Sequence, residues 1–374
     1  MAISSSEQAS ITPASSHALP RWSVILPVVA MLVLVMAWNR PSSLLLVLIV
    51  SAALITAVLA AIHHAEVVAH RVGEPFGTLV LAVAVTVIEA SLIVSVMLSG
   101  GETANVVARD AVFAAVMIVC NGIVGSCLLI GGLRHHVLAF RIEGTRPALA
   151  ALATLAVLTL VMPAYLVTTP GPSLSVSQLA FAGLISLVLY AVFVFVQTVR
   201  HRDYFLPVRA AADGDEVHAA PPPTRIALMS FGLLCLSLIA VIGLAKTLAP
   251  TIERGVIDAG LPIAVIGIVI ALLVLLPESG AAIRAAMANR LQTSLNLALG
   301  SGLATIGLTI PVVAVLSIFF DLPLLLGIPE KDMVLLALTL IVASLTLGGG
   351  TATVLQGAVH LVLFAAFLFL AVVP

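Results

Sequence analysis

Residues 78 to 98 read TLVLAVAVTVIEASLIVSVML. A helix of roughly 20 apolar residues crosses the hydrocarbon layer of a bilayer, and runs of this length recur along the whole chain. No other feature constrains the fold as much. Inside a bilayer every backbone polar group must find its partner within the protein, and only helices and closed barrels achieve that. The segments are too long for barrel strands and suit helices. Charged residues make up 9% of the chain and hydrophobic ones 61%, with a mean hydropathy of +1.25. Soluble domains carry about 25% charged residues. The expectation is an all-α integral membrane protein surrounded by membrane lipid.

Eleven spans are expected, at approximately 22–38, 43–62, 76–98, 111–133, 148–168, 178–199, 226–248, 261–283, 293–319, 333–348 and 352–373. Residues 1–21, rich in Ser and Ala, read as a disordered N-terminal tail. A cleaved signal peptide fits poorly, because the first apolar run starts only after Arg21 and no small-residue cleavage site follows it. The longest polar interruption is RHRDYFLPVRAAADGDEVHAAPPPTR at 200–225, read as a linker that a regulatory ion-sensing role would also fit. It separates six spans from five. With span 22–38 set aside as an extra first helix, residues 43–199 and 226–374 form two sets of five. An odd number of spans gives the two sets opposite topology, the layout of an inverted repeat with its site at the membrane midplane.

Under this topology one side of the membrane collects eleven of the sixteen Lys and Arg residues, among them Arg21, Arg71, Arg134, Arg200 and Arg284. The other side collects Arg40, Arg109, Lys246, Arg254 and Lys331. Positive charge marks the cytoplasmic side, so the N-terminus is expected in the cytoplasm of a bacterial inner membrane and the C-terminus outside. The net charge of −1 and the lack of a basic patch exclude nucleic acid as a partner. Cys120, Cys127 and Cys235 all lie in apolar segments, which speaks against a disulfide framework. A homo-oligomer is compatible with the chain.

Two acids stand out. Glu89 lies near the middle of span 76–98 and Glu278 in LLVLLPESGAAIRAAM of span 261–283. All other acids fall in loops, at span edges or in the tail. A carboxylate at mid-membrane is unfavourable by roughly 2.5 kcal/mol or more and generally faces a pathway or a partner. Each acid occupies the second span of its five-span set. Pro277 and Gly280 flank Glu278 as expected helix breakers, whose freed carbonyls could ligate a cation. Each acidic span is followed by one rich in small and short polar residues, NGIVGSCLLIGG in the first set and LALGSGLATIGLTIP in the second. Close helix packing explains such glycines equally well. Asn121, Ser301 and Thr305, together with Thr86 one turn before Glu89, are candidate neutral oxygen ligands.

The remaining polar residues admit two readings each. His63, His64, Glu66, His70 and Glu74 could gather cations or sense pH, or could simply be interfacial. His360 reads as a structural histidine. Arg284 could pair with Glu278 or anchor the cytoplasmic face. GGGT at 348–351 reads as a tight turn.

The stretch HAEVVAHRVGEPFGTLVLAVAVTVIEASLIVSVMLSG resembles the first α-repeat of bacterial calcium/proton and sodium-potassium/proton antiporters. PESGAAIRAAMANRLQTSLNLALGSGLATIGLTIPV resembles the second. The likeness to this calcium/cation antiporter superfamily, in its cation/proton exchanger branch, covers most of the chain from about residue 40 onward. It implies an extra first helix before two inverted five-helix repeats, and it places the central acids on Glu89 and Glu278. It also matches Asn121, Gly300 and Ser301 to the small-polar helices of the two repeats. The chain departs from plant and fungal exchangers, which carry Gly-Asn shortly before each acid. Val-Thr-Val-Ile and Leu-Leu-Pro stand there instead, and Ala304 replaces a Gln. These differences bear on ion selectivity.

Two buried carboxylates repel one another, and burial disfavours their charge; a bound cation restores it. Protons and a cation therefore compete for the same oxygens. Calcium prefers six to eight oxygen ligands with carboxylate charge, which two glutamates, neutral oxygens and carbonyls near Pro277 could supply. The expectation is export of calcium, and of sodium or potassium, in exchange for protons, with no cofactor. A monovalent sodium-potassium/proton antiporter and a passive cation channel fit the same pair. An enzyme does not fit. H-E-x-x-H is absent, no aspartates pair within the membrane, no histidine accompanies Ser301, and there is no P-loop.

Overall fold

The computed structural model describes residues 19–38, 43–73, 76–99, 104–206, 222–322 and 324–373. The expected tail up to residue 18 and residues 207–221 of the linker, with Arg209, Asp213, Asp215 and Glu216, lie outside the described residues, as does Glu74 of the histidine-rich cluster.

Apolar sequence becomes helix wherever the chain has no water to bond its backbone. Among the described residues it forms eleven rods. The first three are α1 (Arg21–Ala37), α2 (Leu44–Val72) and α3 (Phe76–Ser99). The fourth joins α4 (Val107–Met117) to α5 (Val124–His135) through a π-helical turn at Ile118–Ile123. The fifth is α6 (Ile142–Ala156), continued by a π turn at Val157–Val161 and a 3-10 turn at Met162–Ala164. The sixth is α7 (Val176–Phe195), ending in a π turn at Val196–Arg200. Then come α8 (Thr224–Asp258) and α9 (Ala264–Met287). The ninth rod joins α10 (Leu291–Ala304) to α11 (Ile310–Phe320) through a π turn at Thr305–Thr309. The last two are α12 (Glu330–Leu347) and α13 (Val354–Val372). Nine rods are long and apolar enough to cross a membrane. The other two are α1, at 17 residues, and α12, which opens on Glu330, Lys331 and Asp332. Every expected span corresponds to one rod.

The Val107–His135 rod is the most deeply buried of the candidate spans. It packs against α9, α10 and α13, while α2 packs against α1, α3 and α8. A short antiparallel ribbon ties the loops at one end. β1 (Leu138–Ala139) pairs with β2 (Thr351–Ala352), with Leu138 opposite Ala352 and Ala139 opposite Thr351. Gly350 precedes β2 at φ 71°, so the GGGT segment does turn the chain. At the same end Arg146 donates to the Gly348 carbonyl at 2.9 Å, and His135 bonds the Met287 carbonyl at 3.0 Å.

Helix ends depart from the sequence expectation. α2 runs to Val72 rather than to residue 62, so His63, His64, Glu66 and His70 sit on a helix and not in a loop. These residues are polar but helix-compatible, and the helix stops only at Gly73, with φ 75°. α8 likewise extends to Asp258. The expected break at Pro277 and Gly280 is absent, because α9 is continuous through both. Proline removes one amide donor and so frees one carbonyl, here that of Leu273. Ser279 keeps the next turn closed by donating to the Leu275 carbonyl at 2.6 Å.

Candidate functional site

Glu89 is 2% exposed, in the body of α3. Its Oε2 accepts a hydrogen bond of 2.9 Å from the Thr305 hydroxyl. Thr305 opens the π turn of the ninth rod. A π turn is rare, and it re-aims the side chains around it, often at functional sites. Thr309 lies at the other end of the same turn. It is fully buried, and its hydroxyl lies beside the Glu89 carboxyl without reaching full hydrogen-bond geometry. The sequence reading missed Thr309. Its spacing of four from Thr305 was the available signal, since residues so spaced share a helix face.

Glu278 lies on α9, which packs against α3. It is half-buried, and its Oε2 is buried without a hydrogen-bond partner. The field of Glu278 reaches the Glu89 carboxyl, and the field of Glu66 on α2 reaches Glu278. Among the described residues no ion pair reaches Glu278; Arg284 lies near Glu66 instead. A buried carboxylate oxygen without a donor is unfavourable by a few kcal/mol, and such a group is well prepared to accept a proton or a cation.

The other expected ligands divide. Thr86 is buried one turn before Glu89, and Ser301 is half-buried one turn before Thr305. Asn121 is fully buried, but its carboxamide is taken. Its Nδ2 donates to Thr339 Oγ1 at 2.8 Å, and its Oδ1 faces His360 Nδ1 at 3.0 Å. Pro277 offers no broken backbone. Among the described residues no cluster of three or more His, Cys, Asp or Glu side chains could hold a metal ion. What comes together is therefore a carboxylate pair with hydroxyl oxygens beside it.

An ion pair lies elsewhere. Arg109 Nε meets Asp110 Oδ1 at 2.7 Å, and Arg109 Nη1 donates to the Gly327 carbonyl at 3.3 Å. These residues tie the start of α4 to the segment before α12.

The sodium/calcium exchanger protein model matches residues 42–199 and 229–373. Together these segments cover most of the chain and all but one of its rods. The chain belongs to the sodium/calcium exchanger protein family. It is 36% identical to the sodium-potassium/proton antiporter ChaA of Escherichia coli, over 92% of this chain and 94% of that one. It is 48% identical to y4hA of Sinorhizobium fredii, itself only provisionally named as an ionic transporter, over 96% and 98%. The fold is similar to that of native YfkE, with a TM-score of 0.71 at 18% identity, covering 94% of this chain and 99% of that one. It is also similar to the H+/Ca2+ exchanger CAX, with a TM-score of 0.65 at 15% identity, covering 93% and 87%. Membership makes the chain a multi-pass membrane transporter of cations. The family resemblance read from the two acidic segments is borne out.

Proposed function

We propose that the protein is a secondary antiporter that exports calcium from the cytoplasm in exchange for protons, with Glu89 and Glu278 as the shared site. One observation carries this reading. The Glu89 carboxyl lies inside the membrane-spanning helices within the field of Glu278, and its partners Thr305 and Thr309 are neutral hydroxyls. Among the described residues no ion pair reaches either carboxylate, which supports a mobile cation or proton as the balancing charge. A divalent ion neutralises both carboxylates and takes further oxygens from Thr305, Thr309, Thr86 and Ser301. Protons neutralise the same two groups one at a time. Binding of one cargo therefore excludes the other, which is the condition for exchange.

The two segments matched by the family model, one on each side of the linker, support a pair of inverted five-helix repeats that rock around this site. The bias of Lys and Arg supports a cytoplasmic N-terminus in a bacterial inner membrane. Likeness to ChaA supports a second reading, in which the cargo is sodium or potassium alone. Everted vesicles energised with a proton gradient separate the readings. Calcium, sodium and potassium are added one at a time, and proton release is followed. Release on calcium is expected, and release on sodium or potassium alone selects the second reading. Cation flux independent of the proton gradient would make the protein a passive channel. Glu89→Gln and Glu278→Gln should each abolish release; near-normal exchange in either variant would sink the assignment.

A further inference from the structure

A second buried polar network lies away from the carboxylates. His360 on α13 is completely buried, as is Asn121 in the π turn Ile118–Ile123. His360 Nε2 is 3.1 Å from Thr346 Oγ1 of α12, and its Nδ1 is 3.0 Å from Asn121 Oδ1. Asn121 Nδ2 donates to Thr339 Oγ1, also of α12, and Thr339 donates to Met117 Sδ at 3.5 Å.

With the Asn121 carboxamide turned so that Nδ2 meets Thr339, the donors in this chain run in one direction. The Asn121 oxygen is an acceptor, so His360 Nδ1 must carry the proton. In neutral imidazole Nε2 is then an acceptor, and Thr346 supplies the hydroxyl proton. The Nδ1–H tautomer satisfies every link. The Nε2–H tautomer would set two acceptors against each other at Asn121.

The network reaches the carboxylate site through packing. At Gly125, one turn beyond Asn121, an added Cβ would lie 2.9 Å from His360 Cβ, so α13 lies tight against this rod. An added Cβ at Gly302 of α10 would likewise lie 3.2 Å from Val119 of the π turn. Gly302 is three residues before Thr305, which donates to Glu89. The π turn thus touches both His360, through Asn121, and the helix that leads into Thr305, through Val119.

We propose that His360, as the neutral Nδ1–H tautomer, is a positioning residue for the cation site. It fixes Asn121, and through it the π turn Ile118–Ile123 against which α10 sets Thr305. Asn121 is on this account a brace and not a ligand. The inference rests on the reading of Glu89 and Thr305 as part of the site.

Two measurements test it. Nitrogen-15 NMR of histidine-labelled full-length protein in lipid reads the tautomer directly, with His360 assigned by its contact to an asparagine carboxamide. A protonated Nδ1 and bare Nε2 are expected; a protonated Nε2 would overturn the proposal without any variant having to fold. The second measurement is apparent KM and maximal rate for cation-driven proton release. The Asn amide nitrogen falls where His Nδ1 stands, and the Gln amide nitrogen where Nε2 stands. His360→Asn should keep KM within about twofold, whereas His360→Gln and His360→Leu should raise it about tenfold by leaving the Asn121 oxygen unpaired. A loss of rate equal in all three with KM unchanged would mean bulk packing only and would overturn the proposal, as would a wild-type KM in His360→Gln and His360→Leu. Exchange surviving in Glu89→Gln would instead remove the reading of the site and leave the tautomer result standing.

Discussion

The Thr305 hydroxyl donates to Glu89 Oε2 at 2.9 Å and joins the third rod to the ninth. A hydroxyl both donates and accepts. It can therefore stay bonded to Glu89 whether the carboxyl is ionised, protonated or shared with a cation, which a lysine or arginine could not do. A neutral partner suits a group whose charge must change in every cycle.

Thr305→Val removes this donor at nearly constant volume. A hydrogen bond to a charged group contributes about 1.5–3 kcal/mol, so apparent KM for the cation should rise roughly tenfold or more. Thr305→Ser keeps the hydroxyl and should remain near wild type. Initial rates of cation-driven proton release in everted vesicles measure both. An unchanged KM in Thr305→Val would remove Thr305 from the site.

Competition at shared oxygens fixes the sign of the pH dependence. A carboxylate must be deprotonated to bind the cation. Lowering the pH on the cation-binding side should therefore raise apparent KM, by up to about tenfold per unit for each proton displaced. The maximal rate at saturating cation should change less. Cation titrations at a series of pH values, with the opposite side held constant, provide the check. A KM independent of pH would separate proton and cation sites.

Gly357 tests the packing of α13. A Cβ there would collide with the Leu129 backbone nitrogen, and backbone cannot turn aside. Gly357→Ala should destabilise the protein by about 1–3 kcal/mol, typical of overpacking. A lower thermal midpoint in detergent is the expected readout; an unchanged midpoint would mean that α13 sits further from α5.

The positions of the rods were legible because apolar runs of membrane length have few other fates. Their ends were not. His63 to His70 look like a loop by polarity, yet nothing in them stops a helix before Gly73. Pro277 was read as a break because proline removes a donor, but α9 absorbs one missing bond and continues. Glu89 and Glu278 stood out as isolated acids, and Thr305 as a short polar residue in the span after one of them. No residue type marks the π turns that aim Thr305 and Asn121. Asn121 looked like a ligand because its partners, Thr339 and His360, are far along the chain, and sequence spacing does not place them beside it.

The charge bias assigns one face of the protein to the cytoplasm, and two loop residues test that assignment. Val137, before β1, is 58% exposed, and Val167, after the fifth rod, is 97% exposed. The charge bias puts Val137 inside and Val167 outside. Cys120 and Cys127 are buried, so replacing the exposed Cys235 by Ser leaves a background of low reactivity. On that background a membrane-impermeant maleimide should label Val167→Cys in intact cells. It should label Val137→Cys only after the membrane is opened. The reverse pattern would overturn the cytoplasmic N-terminus read from the charge bias; the exchange would still move the cation against the protons under the same gradient.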